Sequence, residues 1–140
     1  MPLIYRSMRA DDNKPVVGCS ATALGVRAPP AENADIPVEP DGTVRPNTGG
    51  MSVAPAWRRL PRWRISRRLR DKVEGAAGSP NVFCWRMGSG SFVAEQVATG
   101  LSLRPDSDIP GTVEPGHQMS LPEYQEALAF TRDQWVIDED

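Results

Sequence analysis

Proline and glycine interrupt this chain so often that long helices and long strands are excluded. The 140 residues include 14 prolines and 12 glycines, more than the usual share of both. Proline has no N–H group and a fixed φ, and glycine is conformationally free, so both residue types tend to end regular elements. We therefore expect short elements joined by many loops.

The length is that of one ordinary domain with one core, residues 1–140. Strand-favouring residues alternate with turn signals, and helical signals are few, which predicts an α+β fold. Strands are expected at residues 3–8, 81–87 and 112–115, extended pieces at 36–38 and 41–44, and a strand or mixed element at 96–103. Short helices are expected at 21–26 and 66–73, the latter closed by Gly75, and a turn at 106–111.

A helix near the end of the chain has the clearest signals. Ser120 is a favourable N-cap, Pro122 lies in the first turn, where proline is tolerated, and Glu123 follows the cap by three residues. The apolar residues that share one face at helical spacing, which predicts packing against the core, are Leu121, Tyr124, Leu128 and Trp135.

No stretch approaches the ~20 apolar residues that a membrane span needs, and the N-terminus lacks the layout of a secretory signal. We expect a cytoplasmic protein that does not insert into a membrane. Cys19 and Cys84 have no metal-ligand spacing. We expect two reduced, buried thiols and no metal site.

Charge is unevenly distributed, although the net charge is only -2. Acidic residues dominate from residue 105 to the end, so a basic and an acidic face are expected to neutralise each other in part. Arginine favours planar, bidentate contacts with phosphate or carboxylate. The basic residues between Trp57 and Lys72 are Arg58, Arg59, Arg62, Arg64, Arg67, Arg68, Arg70 and Lys72 itself.

Paired glycines lie between hydroxyl residues at mid-chain, where Thr48, Gly49 and Gly50 precede Met51 and Ser52. Such glycines adopt conformations closed to other residues and expose main-chain N–H groups, so the segment is able to approach a ligand closely. A tight surface turn without a ligand is the alternative.

Three segments together resemble a known family. They are Tyr5-Arg6 on the first strand, residues 46–53 around the paired glycines, and the terminal helix from Met119 to Trp135. In order and over nearly the whole chain they resemble the quiescence-inducing toxic effectors of the bacterial type VI secretion system. The resemblance implies a cytotoxic effector delivered without a cleaved signal peptide into the cytoplasm of a recipient cell, with a cognate immunity protein as a partner.

The resemblance also implies an ADP-ribosyltransferase-like fold, in which small antiparallel sheets with a few flanking helices form a cleft for nicotinamide adenine dinucleotide (NAD). By position, Arg6 matches the residue that holds the dinucleotide, and Thr48 with Ser52 matches the strand that supports the nicotinamide. Glu114, just before the terminal helix, is assigned to the acid that stabilises the ribose cation. The implied activity is NAD-dependent mono-ADP-ribosyl transfer to an unknown protein or nucleic acid. The chain has neither a Ser-Thr-Ser triplet nor a Glu-X-Glu pair.

The chemistry can be stated without the family. Breaking the nicotinamide–ribose bond develops positive charge on the sugar, so a nearby carboxylate lowers the barrier while arginines bind the pyrophosphate. Arg6 with one or more of Arg58, Arg59, Arg64 and Arg86 meets the second need, and Gly49 and Gly50 complete the cofactor-binding set. Histidine is a common proton carrier in catalysis, so His117 and its neighbour Gln118 are further catalytic candidates beside Glu114.

Each candidate has an ordinary alternative, in which Arg6 pairs with a surface acid, the hydroxyls cap a turn, and Glu114 and His117 are solvated. A different function is also open. Residues 57–72 form a non-catalytic module in which Trp57 and Trp63 stack on nucleic-acid bases among the arginines, or in which the arginines dock on an acidic protein.

Overall fold

The computed structural model describes residues 1–106 and 110–140, and within them the predicted α+β class with small antiparallel sheets is confirmed. The strands are β1 Ile4–Asp11, β2 Lys14–Pro15, β3 Thr43–Val44, β4 Met51–Val53, β5 Val82–Met87, β6 Gln96–Ala98, β7 Leu101–Pro105, β8 Gly111–Pro115, β9 Met119–Ser120 and β10 Val136–Ile137. The helix is α1 Leu121–Phe130, and single 3-10 turns form at Trp57–Arg59, Arg67–Leu69 and Arg132–Gln134.

The first sheet has the strand order β10-β5-β1-β2. Its centre is the antiparallel pair of β1 and β5, which confirms both predicted strands and sets Arg6 opposite Trp85. β1 runs beyond its predicted end near Met8 because its last two residues pair with β2. Asp12 and Asn13, at φ 52° and 62°, close this hairpin in the left-handed region that Asp and Asn adopt more readily than most residues.

The second sheet has the strand order β4-β8-β7-β6. β8 confirms the strand predicted at 112–115, and the element predicted at 96–103 is the hairpin of β6 and β7, turned at Gly100 with φ 76°. Ser52 and Arg104 both lie opposite Thr112, so these side chains share one face of the sheet. Glu114, two residues further along β8, is on the same face.

The two sheets meet where Tyr5 and Ala54 exchange two backbone hydrogen bonds of 2.8 and 2.9 Å. The larger core lies between the sheets and α1. A second, smaller core beneath residues 57–72 contains Trp57, Ile65 and Leu69. The arginine-rich segment is therefore anchored by its own apolar residues, which leaves most of its arginine side chains at the surface.

The predicted terminal helix is confirmed. The Ser120 hydroxyl accepts a hydrogen bond from the Glu123 N–H at 3.2 Å and donates one to the Glu123 carboxylate at 3.0 Å. Tyr124 and Leu128 are buried as predicted, and Leu121 is half-buried. Trp135 is also buried, but it follows the end of the helix and a 3-10 turn.

Both predicted short helices are wrong. Residues 21–26 are irregular because their backbone groups bind partners outside the segment. The Leu24 N–H donates to Val16, the Leu24 carbonyl accepts from Gly18, and the Ala23 carbonyl accepts from the buried side chain of Arg6 on β1. Residues 66–73 contain the 3-10 helix Arg67–Leu69 and then irregular turns, in which the Leu69 carbonyl accepts hydrogen bonds from the N–H groups of both Lys72 and Val73 at 2.9 Å. Gly75, at φ 83°, does turn the chain after this segment.

Of the extended pieces, residues 43–44 form β3, whereas residues 36–38 are in no strand. The predicted turn at 106–111 includes residues 107–109, which lie outside the described part of the chain. Cys84 is buried as expected, and burial raises its pKa to about 12. Cys19 is exposed, which corrects the expectation of two buried thiols, and both cysteines are free.

The acidic end of the chain contacts the basic segment in part. Glu139 pairs with Arg68 at 3.2 Å, and its carbonyl accepts a hydrogen bond from Lys72 at 3.0 Å. Asp138 pairs at 3.0 Å with Arg86 on β5, outside that segment. The described residues contain no helix with the length and apolar character that a bilayer crossing requires.

Candidate functional site

A cavity of about 230 Å³ lies beside the junction of β1 and β4. It brings together three residues predicted from the sequence, Arg6, Ser52 and Arg64. The other polar or aromatic residues that line it are Ser7, Arg27, Asp35 and Trp63. A larger open groove of about 660 Å³ beside α1 contains none of the predicted site residues.

Arg6 is 5% exposed, and its guanidinium is surrounded by backbone carbonyls. Its Nε and Nη2 donate to the Ala23 carbonyl at 3.1 and 2.9 Å, and Nη2 also lies within 3.3 and 3.4 Å of the carbonyls of Ala21 and Gly25. Nη1 donates to the Ser52 carbonyl at 2.8 Å. Burial lowers the pKa of Arg6 to about 10, so the group is still charged at pH 7.

One hydrogen of Arg6 has no recorded partner, because Nη1 carries two hydrogens and makes a single bond within the described residues. None of the salt bridges among those residues includes Arg6. The surface ion pair considered for Arg6 is thus not formed. The residue is a buried cation at a cavity wall, held by carbonyl dipoles.

The other two cavity arginines differ in their pairing. Arg27 donates hydrogen bonds from Nε and Nη2 to the Asp35 carboxylate at 3.2 and 2.9 Å, and its backbone N–H donates to the same carboxylate at 2.7 Å. Arg64 has no recorded side-chain partner among the described residues, and the pKa of Arg64 is lowered by burial and then by the nearby charge of Arg27. Three guanidinium groups therefore line the cavity against one carboxylate, which is already paired.

The paired glycines Gly49 and Gly50 lie close to atoms of other segments of the same chain. A Cβ on Gly49 would meet the carbonyl of Asp35, and one on Gly50 would meet the Val113 carbonyl and the Tyr124 hydroxyl. Both have positive φ, at 151° and 157°. The fold thus provides a packing reason for both glycines.

The hydroxyl residues on either side of the glycines are in different positions. Thr48 donates its hydroxyl to the Arg45 carbonyl at 2.7 Å and is not a cavity residue. Ser52 lines the cavity from β4, and its side chain is exposed. The cavity therefore receives one of the two hydroxyls predicted to support the nicotinamide.

Glu114 is 7% exposed on β8. Its Oε2 accepts hydrogen bonds from the Asn47 N–H at 2.8 Å and from Arg104 Nε at 3.1 Å. No described residue donates a recorded hydrogen bond to its Oε1. Glu114 is therefore a fixed, largely buried carboxylate, not a solvated one, and it has an oxygen available for another group.

The remaining predicted residues lie outside the cavity. His117 and Gln118 are exposed in the loop after β8, where Gln118 donates to the Thr43 hydroxyl at 2.8 Å. Arg86 lies opposite Tyr5 on β1, so it occupies the other face of the first sheet from Arg6. Its side chain binds Asp138 and the Gly88 carbonyl.

Sequence reasoning missed Arg27 and Asp35 as site residues. They lie in irregular chain with no motif around them, and only folding brings them beside Arg64. The described residues contain no cluster of three or more His, Cys, Asp or Glu side chains suited to hold a metal ion. No protein-family model matches the chain, and no curated protein is significantly similar to it.

Proposed function

We propose that this chain is a cytotoxic effector that acts inside a recipient cell as an NAD-dependent mono-ADP-ribosyltransferase, with an ADP-ribosyltransferase-like fold. The observation that carries the proposal is the cavity at the junction of the two sheets, lined by Arg6, Arg27 and Arg64. The residue motifs of Arg6, the paired glycines and the terminal helix support the same function through their resemblance to quiescence-inducing effectors.

The cavity fits the charged part of NAD. Among the described residues its guanidinium groups outnumber its carboxylates and Arg64 has no recorded partner, so a pyrophosphate supplies the missing negative charge. Arg64 and Arg27 are the proposed phosphate contacts. Arg6 contributes its charge and the free hydrogen of Nη1, while its other donors hold the surrounding backbone.

Glu114 is the proposed catalytic carboxylate. Its carboxylate is fixed by Arg104 and the Asn47 N–H, so it needs no rearrangement to stabilise positive charge on the ribose. The nicotinamide–ribose bond breaks with its electron pair leaving on nicotinamide. A nucleophile of the target then bonds to the sugar carbon and loses its proton to solvent. His117 and Gln118, exposed beside this strand, are placed to contact the target.

The test joins activity to toxicity. We expect the purified chain to bind NAD in a calorimetric titration and to release nicotinamide when a bacterial lysate supplies the target. We expect Glu114→Gln to slow nicotinamide release by about 100-fold, because a fixed charge opposite the developing cation is lost. The same change should relieve growth arrest when the chain is expressed in a bacterium.

Glu126→Gln, at an exposed position on α1, is the matched control and should behave as the parent chain. Thermal unfolding of both variants separates loss of chemistry from loss of fold. If the parent chain binds no NAD and Glu114→Gln arrests growth as strongly as the parent, the proposal is wrong.

A second candidate function is a non-catalytic nucleic-acid- or protein-binding module that uses residues 57–72. The observation in its favour is that several exposed arginines there form no ion pair with a described residue: Arg58, Arg59, Arg62, Arg67 and Arg70. It predicts binding of a single-stranded oligonucleotide or an acidic protein that weakens steeply with salt, with no NAD affinity.

A further inference from the structure

Trp63 differs from the other tryptophans of the chain because it is 68% exposed, whereas Trp57, Trp85 and Trp135 are 4%, 0% and 1% exposed. An indole left in water at a cavity wall is a large apolar surface without a packing role in the described fold. Bases and other flat rings stack on such side chains.

The position of Trp63 is fixed. It lies in a tight turn in which the N–H groups of Arg64 and Ile65 both donate to the Pro61 carbonyl, at 2.8 and 3.2 Å. Leu60 and Ile65, which are 7% and 0% exposed, anchor the turn in the smaller core. The indole and the guanidinium of Arg64, which has no recorded partner among the described residues, therefore extend toward the cavity from one hydrogen-bonded turn.

The cavity is too small for a whole dinucleotide. Its volume of about 230 Å³ is below the ~300–1,000 Å³ of ordinary small-molecule sites. Along β8 its lining reaches Gly111, and Glu114 is three residues further, a separation of roughly 10 Å in an extended strand. The nicotinamide half, which reacts beside Glu114, therefore lies outside the cavity, and the other half of the ligand lies at the cavity.

We propose that the adenosine diphosphate half of NAD binds at this cavity, with the phosphates inside it on Arg64 and the adenine stacked on the exposed ring of Trp63 at its wall. This assignment depends on the proposed function. Because Glu114 is the proposed catalytic carboxylate, the nicotinamide half must lie beside Glu114 and therefore outside the cavity. Trp63 is then a specificity-determining residue that selects a purine ring. The ribose that carries nicotinamide extends from the cavity along β8 toward Glu114, past Ser52, which lies opposite Thr112 on the same face of the sheet.

The experiment uses the full chain with ADP-ribose and nicotinamide mononucleotide as separate probes, followed by tryptophan fluorescence. Because the other tryptophans are buried, stacking on Trp63 should dominate the change in emission. We expect ADP-ribose to change the emission and bind more tightly than nicotinamide mononucleotide. Trp63→Ala should weaken ADP-ribose binding by about tenfold, and Trp63→Phe should retain most of it.

For the Trp63 variants, which lack the indole that reports stacking, ADP-ribose binding is measured by calorimetry. Arg64→Ala should also weaken ADP-ribose binding by about tenfold, whereas Arg62→Ala should not weaken it. Arg62 is the matched control, since it is an exposed arginine two residues away whose side chain donates to the Arg58 carbonyl.

Several results would overturn the assignment. If the parent binds NAD but Trp63→Ala binds ADP-ribose equally well, the stacking proposal alone fails and the proposed function stands. Tighter, Trp63-dependent binding of nicotinamide mononucleotide reverses the orientation. If the parent binds neither NAD nor ADP-ribose, the proposed function fails as well, and salt-sensitive, Trp63-dependent binding of an oligonucleotide then favours the nucleic-acid module.

Discussion

The Tyr124 hydroxyl joins three elements through one buried oxygen atom. It donates a hydrogen bond to the Val113 carbonyl on β8 and accepts one from the Met51 N–H on β4 at 3.1 Å, while its ring extends from α1. Burial raises its pKa. Gly50 has no side chain at the position where a Cβ would meet this hydroxyl. The paired-glycine motif and the helical tyrosine are thus parts of one packing arrangement.

Removing that hydroxyl should destabilise the chain. Tyr124→Phe leaves the Met51 N–H without its recorded acceptor and removes a donor to Val113, so we expect the free energy of unfolding to fall by about 2 kcal/mol. Urea denaturation measures the loss. Tyr5→Phe is the matched control, because the Tyr5 hydroxyl, bonded to Asp138 at 2.9 Å, is only part-buried. Equal losses in the two variants would contradict the role assigned to Tyr124.

At the scale of elements, local sequence signals predicted a helix or strand correctly where that element carries its own capping and packing pattern. The helix at 121–130 begins at Ser120 as its cap predicts, and the strand at 82–87 was expected from its apolar run. The helix predicted at 66–73 ends after one 3-10 turn, and the helix predicted at 21–26 failed because partners distant in sequence bind its backbone groups. Hydrogen bonds of that kind have no signature within the segment itself.

Asp138, which follows the edge strand β10, holds the end of that strand against β5 by hydrogen bonds. Asp138 donates its N–H to the Cys84 carbonyl at 2.9 Å, and its carboxylate accepts from Tyr5 and from Arg86. Burial raises the pKa of Asp138, but hydrogen bonds from Tyr5, the Asp140 N–H and Arg86 outweigh burial, so the pKa is below its ordinary value.

Asp138 should therefore stabilise the chain at neutral pH and lose this effect in acid. A carboxyl with a depressed pKa in the folded state contributes above its unfolded pKa of about 4, and the contribution is lost as the pH falls through the folded value. We expect Asp138→Asn to lower the free energy of unfolding by about 1 kcal/mol at pH 7. The difference from the parent chain should narrow below pH ~4.

Thermal unfolding from pH 7 down to pH ~3 checks this dependence. Asp133→Asn is the control, because the Asp133 side chain is exposed and forms no recorded ion pair among the described residues. A difference between Asp138→Asn and the parent that is constant over this range would contradict the assigned cause.

For the whole molecule, Arg6 is the residue that ties the sheets together. It extends from β1 of the first sheet, binds the Ser52 carbonyl on β4 of the second, and holds the irregular segment 21–25 through its carbonyls. The same contacts form one wall of the cavity. The architecture and the proposed site therefore depend on one buried cation.

We expect Arg6→Met to lower the free energy of unfolding by about 3 kcal/mol, because buried carbonyls lose charge-assisted hydrogen bonds. Arg6→Lys, which keeps the charge with fewer donors, should lose less. Arg9→Met on the same strand is the control, since Arg9 makes one recorded side-chain hydrogen bond, to Thr22 at 3.3 Å. Denaturant unfolding ranks the variants, and a loss in Arg9→Met as large as that in Arg6→Met would refute this role.

By itself the sequence determined the α+β class, the best-signalled strands and the capped helix, since these follow from interactions within a few residues. It also singled out Arg6, Ser52 and Arg64, which the fold brings to one cavity. Only the tertiary structure decided that Arg27 and Asp35 join them, that Arg86 lies on the opposite face, and that the paired glycines face the chain's own carbonyls. The physical reason is that the pairing of strands and the long-range backbone hydrogen bonds fix which side chains meet, and both depend on contacts between residues that lie far apart in the sequence.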